Sequence, residues 1–221
     1  MTNDLLLWQL ADSAFPSGGF AHSGGLEAAH QLGLVSDAES LETFLENGRS
    51  QVRRGVACFA HEAWTDPDEF AAIDRDCDLF LNNHVANRAS RAQGQALLSS
   101  ASKAFSGAAR DEAIARWTLT VRRDRLPSHL APVFGLVSRA LDIPSAQMSN
   151  LFLFIHLRGY ISAAVRLGIV GPMQAQQCQA SLAVKLSSID PPSIRSAVQI
   201  NPMLDLIQMM QDRLYSRLFQ S

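Results

Sequence analysis

The chain has 221 residues, 47% of them hydrophobic and 18% charged, with a formal net charge of −2. That is enough for one large domain with a sizeable core, and the charge is too low for a disordered segment. The same numbers exclude a broad basic footprint for nucleic acid.

Leu151 to Ile155 is the longest apolar stretch, and His156 and Arg158 interrupt it. It falls far short of the ~20 residues of a membrane span. The run Leu5-Leu6-Leu7-Trp8 follows Asp4 and has no basic region before it, unlike a secretory leader. Cys58, Cys77 and Cys178 are odd in number and far apart, so no disulfide framework or zinc motif is implied. A reducing, cytoplasmic setting is expected. Only Lys103 and Lys185 are lysines, and the other seventeen basic residues are arginines. Arginine is favoured in planar ion pairs at interfaces, and a genomic bias toward arginine gives the same composition.

Alanine and leucine dominate and runs of β-branched residues are absent, which predicts helices throughout. A first helix spans about 4–13 and is broken by Pro16, Gly18 and Gly19. A second runs from near Ser23 to Gly33. Ser36 and Glu39 form an S-x-x-E capping box. That box opens a long helix to about Trp64, with Leu41, Leu45, Val52, Val56 and Phe59 at helical spacing. Thr65-Asp66-Pro67 ends it. Further helices are expected near 68–83, 85–105, 109–121 and 129–141. Pro144 starts one that stops at Arg166-Leu167-Gly168, and Gly171-Pro172 starts one to about Ser188. Pro191-Pro192 is a break, a short helix follows Ser193, and Pro202 begins a last helix reaching Phe219. The sum is an all-α protein: one compact bundle of about ten helices over residues 1–221.

Catalytic signatures are missing. His61-Glu62 begins like H-E-x-x-H, but Thr65 stands where the second histidine would be. No G-x-S-x-G is present. Pro16 to Glu27 holds two Ser-Gly-Gly triplets before a helix, yet no lysine follows the glycines, so this is no P-loop. It reads as a tight turn allowing close backbone approach, with anion binding as the alternative. The six histidines lack ligand spacing. His22 and His30 are weak metal candidates, so no metal or cofactor is assigned. The acidic run Asp68 to Asp78 is expected to be a solvated helix face.

Two polar stripes are more informative. His84, Arg88, Arg91 and Gln95 share one helix face, with Gly94 beside them for close packing. Arg158, Ser162 and Arg166 lie four apart on an otherwise apolar helix. Such charges need either internal acidic partners or a partner protein. In the last helix Met203, Ile207, Met210, Leu214 and Leu218 form an apolar face, and Tyr215 to Phe219 suits a terminal anchor.

Several segments together resemble the UreF family of urease accessory proteins. They are Leu10 through Glu27, Asn87 through Gly94, His129 through Gly135, Ser162 through Gly168 with Gly171-Pro172, and Arg217 through Ser221. They occur in order over nearly the whole chain. Pro172 resembles the plant-like branch of the family more than the Gly-Gln commonly found at that position. The resemblance implies an all-α protein, not an enzyme, that forms a homodimer. It further implies binding to UreD (also called UreH) and, through it, recruitment of the GTPase UreG for GTP-dependent nickel insertion into apo-urease. Glu27, Arg88, Ser90, Gln93, Arg166, Arg217 and Phe219 match its motifs and are candidate interface residues, joined by Arg91 from the first stripe. For Arg166 a structural role is expected. Two alternatives remain: a regulator that supplies an arginine to UreG, and a chaperone that binds nickel directly through His22 and His30.

Overall fold

A computed structural model of the chain describes residues 4–105, 109–185 and 193–221. Among them are eleven α-helices and no strand. In chain order these are α1 (Asp4–Ala11), α2 (Leu26–Gln31), α3 (Ala38–Arg54), α4 (Val56–Thr65), α5 (Phe70–Phe80), α6 (His84–Ala104), α7 (Ala109–Asp124), α8 (Leu130–Ala140), α9 (Ser145–Arg166), α10 (Pro172–Lys185) and α11 (Pro202–Met209). Short 3-10 turns fill several of the junctions. No helix among the described residues is long and apolar enough to cross a membrane.

Helix α4 sits at the centre, packed along α8. A Cβ on Gly135 of α8 would stand 2.1 Å from the Ala60 carbonyl oxygen, so only glycine lets these two backbones cross so closely. Around this pair α5, α6, α7 and the first half of α9 close one core, with Phe70, Leu97, Ile114, Leu136, Met148 and Phe152 fully buried. Burial of each such side chain contributes roughly 1.5–3 kcal/mol. A second core joins α2, α3, the second half of α9, α10 and α11, around Leu26, Leu41, Leu45 and Ala164. Helix α9 contributes residues to both cores.

Three expectations need correction. The capping box at α3 lies one residue later than predicted: Asp37 accepts from Ser40 N at 2.9 Å, and Ser40 Oγ accepts from Asp37 N at 3.2 Å. Asp37 supplies a charged acceptor there, stronger than the Ser36 hydroxyl. The long helix breaks at Gly55 into α3 and α4. The last helix ends at Met209, passes through a 3-10 turn over Met210–Arg213, and then continues as an irregular tail with bends at 215–216 and 218–219. Leu204 and Ile207 therefore form its buried face, while Met203 and Leu206 are exposed. The predicted break at Pro191-Pro192 lies outside the described residues.

Candidate functional site

The glycine-rich segment and the non-helical tail are bound to each other. Gly18, Gly24 and Gly25 take positive φ, so the segment turns sharply enough to lie beside residues 219–221. Gln220 N donates to Ala21 O at 2.8 Å, and Ser23 donates to Ser221 O through N at 2.5 Å and Oγ at 3.0 Å. His22 Nδ1 and Ser221 Oγ are 2.6 Å apart.

Glu27 is the centre of this clasp. It projects from the first turn of α2 and is buried. Its carboxylate accepts from Leu218 N at 2.6 Å, Phe219 N at 3.1 Å and Gln211 Nε2 at 2.5 Å. Three donors on one buried acceptor explain why the chain leaves the helix before the tail: the Leu218 and Phe219 N–H groups are drawn inward to Glu27. In this fold Glu27 therefore faces the chain's own tail, and its side chain is not on the surface.

Phe219 likewise is buried, at 4% exposure. The Arg166 guanidinium is held between two rings, 3.9 Å from the Phe20 centroid and 4.1 Å from that of Phe219. It also donates to Phe20 O at 2.6 Å. The partner of this arginine is thus a pair of π faces and a carbonyl. Among the described residues neither Arg158 nor Arg166 has a carboxylate in ion-pair range. The tail's exposed large apolar side chains are Tyr215 and Leu218, and Leu32 and Leu34 after α2 are exposed too.

The α6 stripe meets the same tail. Asp212 accepts two bonds from Arg88, at 2.8 and 3.2 Å, one from Arg217 at 3.3 Å, and faces His84 Nε2 at 3.2 Å. Arg88 holds the Asp212 carboxyl below its usual range. Arg91 reaches Asp78 at 3.5 Å. His84, Arg88, Arg91 and Gln95 border an open groove on the outer face of α6. Arg88, Arg91 and Arg217 are all exposed.

Ser90 and Gln93 face inward instead. Asp74 accepts from Ser128 N and His129 N, both at 2.7 Å, at the start of α8. His129, fully buried, has Nδ1 3.1 Å from Ser90 Oγ and Nε2 3.0 Å from Asp78. Ser90 Oγ also accepts from Leu130 N at 3.2 Å. These residues together cap the N-terminus of α8, whose first N–H groups lack helical partners. Asp74 is fully buried and departs from the expected solvated acidic face, on which Asp68, Glu69 and Asp76 are exposed. Burial pushes its carboxyl up, while the two N–H bonds pull it down. Gly94 lies against Ser128 and His129 where a Cβ would clash. Gln93 faces Gly18 and Gly19. His22 and His30 bond to Ser221 and to Val35 O respectively. Among the described residues no three His, Cys, Asp or Glu side chains are grouped to hold a metal ion.

Beneath the glycine-rich segment lies a cavity of about 850 Å³. It is bounded by residues 13–24, the α3–α4 and α5–α6 junctions, α6, α9, the tail, and parts of α8, α10 and α11. Sequence patterns did not point to it, because its walls come from segments scattered along the whole chain.

Comparison with known proteins assigns the family. The UreF family model matches residues 35–183. The chain is 37% identical over 220 residues to urease accessory protein F of Arabidopsis thaliana, covering 97% of this chain and 91% of the relative. The chain belongs to the UreF family. It is also 34% identical over 221 residues to urease accessory protein F of Oryza sativa subsp. indica, covering 96% of this chain and 83% of the relative. Urease accessory protein UreF of Bacillus sp. strain TB-90 is 28% identical over the full length of both chains. Its relatives are named as accessory factors, and the fold is the all-α architecture expected.

Proposed function

We propose that this protein is a partner-binding scaffold in urease maturation. It binds UreD (UreH), recruits the GTPase UreG through that complex, and so supports GTP-dependent insertion of nickel into apo-urease in the cytoplasm. It acts as a homodimer. The observation that carries this is family membership over nearly the whole chain, with relatives named urease accessory protein. The exposed surface formed by Arg88, Arg91, Arg217, Tyr215 and Leu218 supports it, since arginine and aromatic residues are enriched at interface hot spots. Glu27, Arg166 and Phe219 contribute from beneath by fixing the tail that presents this surface. Ser90 and Gln93 fix α6 on α8 and against the glycine-rich segment.

Co-expression with the host's UreD and UreG, followed by size exclusion with light scattering, tests this. A co-eluting complex with paired copies of each subunit is expected. A monomer running alone beside folded partners overturns it, as does full urease activity on limiting nickel in a deletion strain.

A second role follows from the exposure of the arginines. An arginine supplied to a GTPase in trans is worth roughly 10³–10⁵ in rate. If this protein stimulates UreG that way, alanine at Arg88, Arg91 or Arg217 collapses the stimulated hydrolysis. Retention by all three single variants excludes it.

A further inference from the structure

The cavity under the glycine-rich segment has the size of a ligand site, since such sites run to roughly 300–1,000 Å³ with mostly apolar walls and a few convergent polar groups. Phe15, Val52, Val56, Phe80, Phe152 and Ile155 supply the apolar wall. One side of it is bare backbone. Gly159 lies inside the 22-residue helix α9, faces the cavity, and a Cβ there would meet nothing within 4 Å. An interior glycine costs about 1 kcal/mol of helix stability relative to alanine. Gly135 and Gly94 recover such a cost through close packing within the chain, and Gly159 does not.

Two polar groups beside Gly159 have unused hydrogen-bonding capacity. His156 Nδ1 lies 2.8 Å from Phe152 O. A carbonyl only accepts, so Nδ1 carries the proton. Burial lowers the pKa of the ring, so it is neutral and Nε2 is a bare acceptor. No partner for Nε2 is present among the described residues, and His156 lines the cavity. One turn on, the Tyr160 hydroxyl has no hydrogen bond among the described residues, and burial pushes the phenol up to about 12. By contrast, Gln51, Asn83 and Gln208 on the opposite wall bond to Asp205, to Ile200 and Asn201, and to one another.

We propose that this cavity binds a neutral small molecule with an apolar body and one O–H or N–H donor, a phenol- or indole-like compound whose donor meets His156 Nε2. A neutral ligand fits because the wall beside His156 is apolar, and the charged side chains that also line the cavity, Asp205, Arg166 and Arg158, already face Gln51, the Phe20 and Phe219 rings, and the Phe154 ring. A donor is required because the imidazole offers only a lone pair. Tyr160, one turn along α9, offers a second hydrogen-bonding group in the cavity lining.

The test uses the full chain with matched probes: 4-ethylphenol and indole against ethylbenzene, titrated by calorimetry and saturation-transfer NMR. At least tenfold tighter binding of the phenol than of the hydrocarbon is expected, with a shift of the His156 Nε2 nitrogen resonance on titration. His156→Phe keeps the ring's packing and removes the acceptor, so it should abolish the preference while hydrocarbon binding persists. Gly159→Leu fills the space from a helical position, so it should abolish binding of all three probes with no loss of thermal stability. Equal affinity for phenol and hydrocarbon, unchanged binding to Gly159→Leu, or no binding of any probe at millimolar concentration each overturns the proposal.

Discussion

Replacing Glu27 by alanine removes the acceptor on which the whole clasp converges. Leu218 N, Phe219 N and Gln211 Nε2 all lose their partner at once. Each buried donor left unsatisfied costs about 1–3 kcal/mol. Leu218 is half exposed, so water recovers part of its share. A net loss of about 3 kcal/mol is expected, and at 1.4 kcal/mol per tenfold that opens the tail about a hundredfold more often. The effect falls on the tail because Glu27 touches the second core only through its own short helix. Hydrogen exchange read at the Leu218 and Phe219 amides measures the opening directly, and tryptic cleavage after Arg217 measures it independently. Glu27→Gln keeps an acceptor but turns an NH₂ toward one donor, so it should fall between alanine and the parent. If Glu27→Ala leaves exchange at both amides within threefold of the parent, the clasp does not hold the tail and the argument from these three bonds fails.

Arg166→Lys keeps the charge but loses the flat guanidinium between Phe20 and Phe219. Each cation–π contact is worth about 0.5–1 kcal/mol at exposed sites, so exchange at residues 219–221 should rise about fivefold to thirtyfold, while Arg166→Ala should do more. The buried histidines set the pH dependence. His22, His129 and His156 are held below their ordinary value by burial, so the unfolded chain protonates first as pH falls. Stability is then full above about pH 6.5 and is lost as pH drops through and below it. Asp74 and Asp205, pushed up by burial, act oppositely at lower pH. Calorimetry should show a lower melting temperature at pH 5.5 than at 7.5, and a flat or rising profile would contradict this.

Helix period and helix punctuation were legible because they are local. The stop at Gly168, the start at Pro172 and the proline that opens α11 stand where the sequence predicts them. What the sequence did not show depends on distant residues. The last helix reads as continuous to Phe219 because its own residues favour that, and Glu27, 192 positions away, overrides the preference by claiming two backbone N–H groups. Asp74 reads as solvated because its neighbours are charged, and it is buried because α8 begins above it. Of the candidate residues, the exposed arginines were recognisable by their stripe. Glu27 and Phe219 were recognisable as motif positions, but no local signal shows that each faces inward. His156 looked like an ordinary polar residue in an apolar run. Its free nitrogen becomes visible only when the opposite walls of the cavity are in place.

Asp212 joins the two halves of the exposed surface, and its replacement separates stability from recognition. Its carboxylate holds Arg88 from α6 and Arg217 from the tail. Such exposed pairs are worth about 0–1 kcal/mol each, so Asp212→Asn should barely change melting. An acidic partner, however, must displace this internal carboxylate before it can take either guanidinium. Removing the charge frees both arginines and makes the local field more positive, which raises association rates at low salt. In the proposed binding to a UreD–UreG assembly, read by surface plasmon resonance, Asp212→Asn should therefore associate several-fold faster, with a steeper salt dependence. Arg88→Ala should associate more slowly. If Asp212→Asn instead weakens binding as Arg88→Ala does, then Asp212 orients the arginines for the partner and does not compete for them.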